Sequence, residues 1–193
     1  LSDMKFIIIG APGSGKGTLA KQIVEHHNLH HINAGELLRA KSEEDNESGK
    51  FIASLINNGN YVPDDTIRKI IEEEIQKYPD FILDGFPRTI KQLRMINKFF
   101  EDLDEKEKPM VIVLQVGKQT ALERIRKRSL DSNRKDDNSN EILRIRMTEF
   151  IKKTQPVVNH YLRLTNSIVL DANKTKEEVF EDFQSKINDA QIL

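Results

Sequence analysis

Lys5-Phe6-Ile7-Ile8-Ile9 runs straight into Gly10-Ala11-Pro12-Gly13-Ser14-Gly15-Lys16-Gly17-Thr18, and an amphipathic stretch follows at once, with Leu19, Ala20, Ile23 and Val24 on one face. A short apolar run that ends in glycine suits a strand buried on both faces. The glycines let the backbone curl so that successive N–H groups point inward at an anion, and the helix start adds a partial positive charge at the same place. Lys16 supplies a full charge suited to the β- and γ-phosphates of a nucleotide. Strand, loop and helix in this order make the GxxxxGK pattern specific, and they assign Gly13, Ser14, Gly15, Lys16, Gly17 and Thr18 to phosphate binding. The pattern departs at Gly17, which stands where Ser or Thr commonly reaches Mg²⁺. The direct metal ligand is therefore left open, with a hold through water as the expectation.

Outward from this loop, four more apolar runs read as buried strands: Leu29–Ile32, Phe81–Asp84, Met110–Val116 and Ser167–Asp171. Helical periodicity lies between them, over Lys16–His27, Asp64–Gln76, Thr89–Phe100, Lys118–Arg128, Asn140–Gln155 and Thr175–Ile187. Alternation of this kind predicts a three-layer α/β fold with a five-stranded parallel sheet. Two stretches interrupt it. Residues 33–62 hold short helical pieces between the second and third strands. Residues 129–139 are polar and turn-rich. On composition alone both read as solvated connections.

A chain of 193 residues suits one domain and buries roughly 70% of its unfolded surface. With 37% hydrophobic and 32% charged residues, the balance is that of a polar globular protein. No apolar run approaches the roughly 18 residues of a bilayer span, and Phe6–Ile9 is too short for a signal peptide. Leu1-Ser2-Asp3 precede Met4, which is expected to be the natural start. Zero cysteines exclude disulfides and thiolate–zinc sites and permit a cytoplasmic home. A net charge of −1 gives no general pull toward nucleic acid or an anionic membrane, so an anionic ligand must be held by local cations.

Phe81-Ile82-Leu83-Asp84 ends an apolar strand in a carboxylate at the carboxyl edge of the sheet, where open α/β folds bind ligands. A carboxylate beside a phosphate loop can hold Mg²⁺ directly or through its waters. Gly85 allows a close approach to the backbone, and Arg88 offers a planar fork to phosphate oxygens. Taken with Gly10–Thr18, the segment Asp84-Gly85-Phe86-Pro87-Arg88 resembles the adenylate kinases and their UMP/CMP kinase relatives, and the likeness extends over nearly the whole chain. It implies a Mg²⁺ role for Asp84 and a cis Phe86–Pro87 bond. Asn33-Ala34-Gly35-Glu36-Leu37-Leu38-Arg39 resembles the start of the family's monophosphate-binding insertion, here 33–62. There Arg39 would clamp the acceptor phosphate beside Ala34. Gly59-Asn60-Tyr61-Val62-Pro63 resembles its exit, with Val62 near the base.

The acceptor base is read two ways. Ala34 stands where adenylate kinases usually carry Thr, which favours a UMP/CMP kinase. Thr89-Ile90-Lys91-Gln92 matches the adenylate pattern, whose Gln reads adenine. A hydrogen-bonding residue discriminates bases better than an apolar one, so AMP is preferred and UMP/CMP is the alternative.

Arg124 and Arg128 share a helix face at i, i+4. Arg134 lies in the polar stretch and Arg146 on the next helix. The resemblance picks out these four: Arg124 for the ATP adenine or its phosphates, and Arg128, Arg134 and Arg146 for the transferring group, with Arg134 and Arg146 also on the acceptor side. It makes 128–138 a short lid without the segment that carries zinc in long-lid relatives, so no zinc is expected. It also implies a monomer acting on ATP-Mg²⁺ and AMP, with Lys16, Arg88, Arg128, Arg134 and Arg146 catalytic. The five histidines read as packing and helix-end residues. A nucleotide-dependent switch without turnover is the rival from another class; it needs no acceptor site, and the chain has no Asn-Lys-x-Asp motif. A shikimate-kinase type is disfavoured by the Arg39 and Gly59–Pro63 segments.

Overall fold

The computed structural model describes residues 4–104, 107–131, 140–164 and 167–191. Five strands, β1 (Lys5–Gly10), β2 (His30–Asn33), β3 (Phe81–Asp84), β4 (Met110–Gln115) and β5 (Ile168–Asp171), form one sheet in the order β2-β3-β1-β4-β5. All pairings are parallel: Ile7 sits opposite Leu83 on one side and Val111 on the other. From β1 the chain runs out to β2 and back to β3 on one side, then crosses past β1 to β4 and β5 on the other. This is the kind of switch point at which a crevice opens beyond the strand ends.

Side chains alternate across the sheet, so each strand feeds two cores. Ile7, Ile9, Leu83 and Val113 face α4 (Asp64–Ile75), α5 (Ile90–Phe99) and α8 (Gln155–Tyr161), with Ile71, Ile96 and Val157 filling that layer. Phe6, Ile8, Ile82 and Ile112 face α1 (Lys16–His27) and α9 (Lys176–Gln191), packing on Ile23 and Phe183. Full burial of each such side chain stabilises by about 1.5–3 kcal/mol, which explains why the strands are almost unbroken apolar runs. Asn28, with φ 54°, ends α1 and turns the chain into β2. His26 and His27 form the last turn of α1 and pack on Phe180 and Phe183, a structural placement.

Between β2 and β3 lie α2 (Ala34–Ser42), α3 (Glu47–Ile56) and then α4. Asn33 and Asn46 cap α2 and α3 with their side-chain oxygens. After α6 (Lys118–Asp131) and α7 (Asn140–Glu149), the expected single helix over 140–155 is broken. Phe150–Thr154 forms a π-helical turn before α8. Pro156, which has no N–H, stands at the start of α8, and the Gln155 N–H reaches back to the Phe150 carbonyl. No helix among the described residues is long and apolar enough to cross a membrane.

Candidate active site

The phosphate loop is shaped by contacts that permit no side chain. Gly13 has φ +80°, and a Cβ there would meet the Ala121 carbonyl oxygen at 2.3 Å. Helix α6 thus presses on the loop from outside and keeps its inner face toward the cleft. Gly13, Gly15, Lys16, Gly17 and Thr18 line that cleft, whereas Ser14 is buried behind it. Lys16 Nζ lies 3.4 Å from the Ala11 carbonyl, folded along the loop it serves.

Across from the loop stands Asp84, 5% exposed at the end of β3. Its Oδ2 accepts a hydrogen bond from Asn33 Nδ2 at 3.1 Å and lies 3.4 Å from His31 Nε2, a contact longer than a good hydrogen bond and ionic only when the imidazole is protonated. Burial pushes the Asp84 carboxyl up, but His31, Lys16 and Arg88 together outweigh it and hold the group below the ordinary carboxylate range. The carboxylate therefore stays ionised at neutral pH.

Those surroundings fit a magnesium ion that arrives with phosphate. Mg²⁺ is commonly bound by one or two carboxylates plus substrate phosphates and water, not by a full protein cage. Asp84 supplies an ionised carboxylate in the cleft. A Cβ at Gly17 would lie 3.9 Å from Asp84 Oδ2, so the missing side chain leaves room between helix start and carboxylate.

The second half of the cleft is cationic. Arg88 is tightly held: its Nε donates to the Gly85 carbonyl at 2.6 Å, its backbone N–H donates to Gln92 Oε1 at 2.6 Å, and its guanidinium lies 5.4 Å from the Tyr61 ring centroid. The Phe86–Pro87 bond is cis, as the resemblance implied. Arg39 lies over Gly35, and Arg146 packs on Gly59, where a Cβ would meet its Cγ at 3.2 Å. Ala34, Val62, Gly85 and Gln92 complete this end. Gln92 is 3% exposed, not the solvated residue its helical position would also allow.

Lys16, Asp84, Arg39, Arg88, Arg146 and Gln92 therefore face one cleft of about 830 Å³. Arg124 is placed otherwise. It stands beside Gly15, but its guanidinium donates to the Ala172 and Lys174 carbonyls at 2.6 and 3.0 Å. It is not among the described residues that line the cleft, and it ties α6 to the loop after β5. Arg128 lies on α6 with its side chain outside the described part, and Arg134 falls wholly outside the described residues.

Several residues of the site escaped the sequence reading. His31 and Asn33 contact Asp84 from the neighbouring strand, and only the strand pairing reveals it. Thr154 Oγ1 donates to the Arg88 carbonyl at 2.8 Å and shares a 2.8 Å hydrogen bond with the Tyr61 hydroxyl. A phosphate loop and a second cationic cluster facing each other across one parallel-sheet edge define a P-loop phosphotransferase with room for two phosphate-bearing ligands. The Adenylate kinase family model matches residues 8–166. An adenylate kinase of Fervidobacterium nodosum is 30% identical, covering 92% of this chain and 94% of its own. One of Flavobacterium johnsoniae is 30% identical over 96% and 98%, and adenylate kinase isoenzyme 1 of Gallus gallus is 33% identical over 94% and 92%. The chain belongs to the adenylate kinase family.

Proposed function

We propose that the chain moves the γ-phosphoryl group of ATP to AMP, giving two ADP, in a reversible reaction. The observation that carries this is the shared cleft. Lys16 and the loop amides sit at one end, and Arg39, Arg88 and Arg146 sit with the buried Gln92 at the other. A switch protein has no need for the second end.

The residues act by placement and charge. Loop N–H groups and Lys16 hold the donor phosphates, and the positive end of α1 adds to them. Arg39 and Arg88 hold the acceptor phosphate so that its oxygen lies in line with the γ-phosphorus. Arg88 and Arg146, joined by Arg128 and Arg134 of the lid, bear on the charge spread over the transferred group. Arg124, beside Gly15 of the phosphate loop, is the residue for the ATP adenine or its phosphates. Mg²⁺ entering with ATP supplies neutralisation of donor-phosphate charge, and Asp84 is the residue that would hold it through water. Insertion 33–62 is the acceptor-binding part and 128–138 the lid, whose closure excludes water that would otherwise receive the phosphoryl group. Gln92 faces the base, where its amide suits adenine. The protein works as a monomer in the cytoplasm on nucleotides alone.

A coupled assay of ADP formation with ATP-Mg²⁺ and each of AMP, CMP, UMP, GMP and dTMP tests this. AMP is expected to give the highest kcat/KM. ATP loss that does not depend on any monophosphate would refute the transferase reading, and a preference for UMP or CMP would refute the base assignment.

A further inference from the structure

Gln92 is held from behind by a residue outside the cleft. Its Nε2 donates to Asp64 Oδ1 at 2.8 Å while its Oε1 accepts the Arg88 backbone N–H at 2.6 Å. The same Asp64 oxygen accepts from Thr89 Oγ1 at 3.0 Å, and Thr89 Oγ1 in turn accepts the Gln92 backbone N–H at 3.0 Å. Asp64 is the first residue of α4 and is not among the described residues lining the cleft, whereas Gln92 is.

These partners fix which way the amide points. An ionised carboxylate only accepts, and a backbone N–H only donates. The atom facing Asp64 must therefore be nitrogen, and the atom facing Arg88 N must be oxygen. An amide is usually oriented by weighing its surroundings, and here both sides demand the same answer. Turning it over would set NH₂ against the Arg88 N–H and the amide oxygen against the carboxylate, so that both Gln92 amide groups and the Arg88 N–H lose these partners while Asp64 Oδ1 keeps Thr89. Held this way, Gln92 has one N–H and one Oε1 lone pair left for a ligand, in a fixed order.

We propose that Asp64 is the positioning residue for base selection. By locking the Gln92 amide it selects bases whose edge carries an exocyclic amine beside a ring-nitrogen acceptor, against those carrying a carbonyl beside a ring N–H. The first class holds 6-aminopurines and 4-aminopyrimidines; the second holds 6-oxopurines and uracil. This rests on the reading of Gln92 as the residue that meets the acceptor base. The acceptor phosphate, anchored among Arg39, Arg88 and Arg146, prevents the base from turning over to find the opposite order. An oxo base then meets Oε1 with its carbonyl and N–H with its ring N–H, a double mismatch that a site built on hydrogen bonds rejects strongly.

The test compares AMP with inosine monophosphate, which differs only at that edge, using ATP-Mg²⁺ and the wild type, Asp64→Asn, Asp64→Ser and Gln92→Leu. Asn and Ser at 64 can donate as well as accept, so a turned Gln92 amide is opposed by the Arg88 N–H alone. The ratio of kcat/KM for AMP over inosine monophosphate is expected to narrow about tenfold or more in both variants, the equivalent of losing one charged-group hydrogen bond. Each ratio is taken within one protein, so a smaller folded fraction cancels. A wild-type ratio retained in Asp64→Asn and Asp64→Ser, together with a collapsed ratio in Gln92→Leu, overturns the role of Asp64 and leaves Gln92 as the reader. A wild-type ratio retained in Gln92→Leu overturns the reading of Gln92 itself, and the proposal falls with it.

Discussion

Replacing Thr154 by Val removes one hydroxyl and almost nothing else, yet that hydroxyl joins three separate segments. Thr154 is 3% exposed in the π-helical turn. Its single hydrogen goes to the Arg88 carbonyl, so the 2.8 Å contact with Tyr61 must be donated by the Tyr61 hydroxyl. The chain runs Tyr61 O–H to Thr154 Oγ1 and Thr154 O–H to the Arg88 carbonyl. It links the exit of insertion 33–62 and the arm behind Arg146 to the residue proposed to hold the acceptor phosphate. Thr154→Val breaks both bonds and leaves two polar groups half-buried without partners, a cost of about 1–3 kcal/mol. Tyr61→Phe breaks only the outer bond, leaves Thr154 donating to Arg88, and is expected to cost about 0.5–1.5 kcal/mol. The double variant should cost little more than Thr154→Val alone, because the Tyr61 hydroxyl has already lost its acceptor. Urea unfolding of the four proteins measures the cycle, and AMP titrations follow the acceptor end, where KM should rise more in Thr154→Val than in Tyr61→Phe. If the two single costs add to within about 0.5 kcal/mol, as for independent sites, no such relay exists.

Lys16→Ala and Arg88→Ala should each lower kcat by about 10²–10³-fold, the usual loss for a group that stabilises transition-state charge, with the fold kept. Near-normal turnover in a coupled ADP assay would remove either residue from the mechanism. At Gly85, φ is +83° and a Cβ would come within 2.8 Å of an Arg88 terminal nitrogen. Gly85→Ala should therefore cost about 1–2 kcal/mol in stability through its left-handed backbone. It should also raise the KM for AMP by displacing the guanidinium; an unchanged KM would show that Arg88 does not meet the acceptor. Asp84 has its pKa lowered in the folded state, so the stability it contributes is present above its unfolded value of about 3.9 and is lost as pH falls through the lower folded value. Asp84→Asn should flatten the dependence of unfolding free energy on pH below about 4. Parallel curves for the wild type and the variant would show that the fold does not favour the ionised form.

Legibility followed the range of the interactions. The phosphate loop was readable because strand, curl and helix start are consecutive, and each imposes its own residue types. Strand and helix limits fell close to expectation for the same reason: Lys16–His27 and Phe81–Asp84 are bounded by residues that can only start or stop an element. The break at Phe150–Thr154 was not foreseen. Pro156 follows the expected helix over 140–155, and the chain absorbs its missing N–H by widening one turn and continuing as α8.

At the site, residue types were legible and their partners were not. Asp84 and Arg88 could be singled out from local patterns and Arg39 and Gln92 from the resemblance, and the sheet edge brings them together. Nothing local joins the Arg124 guanidinium to the Ala172 and Lys174 carbonyls. Nothing local joins Tyr61 to Thr154, or Asp64 to Gln92. Those pairs are hydrogen bonds between segments that meet only after the sheet has formed, and a buried donor accepts whichever partner the packing delivers. A sequence therefore exposes the groups that face the substrate, whose chemistry limits the residue types allowed. The groups behind them, which set orientation and so selectivity, can be supplied by many residue types from many places, and that freedom is why they leave no pattern to read.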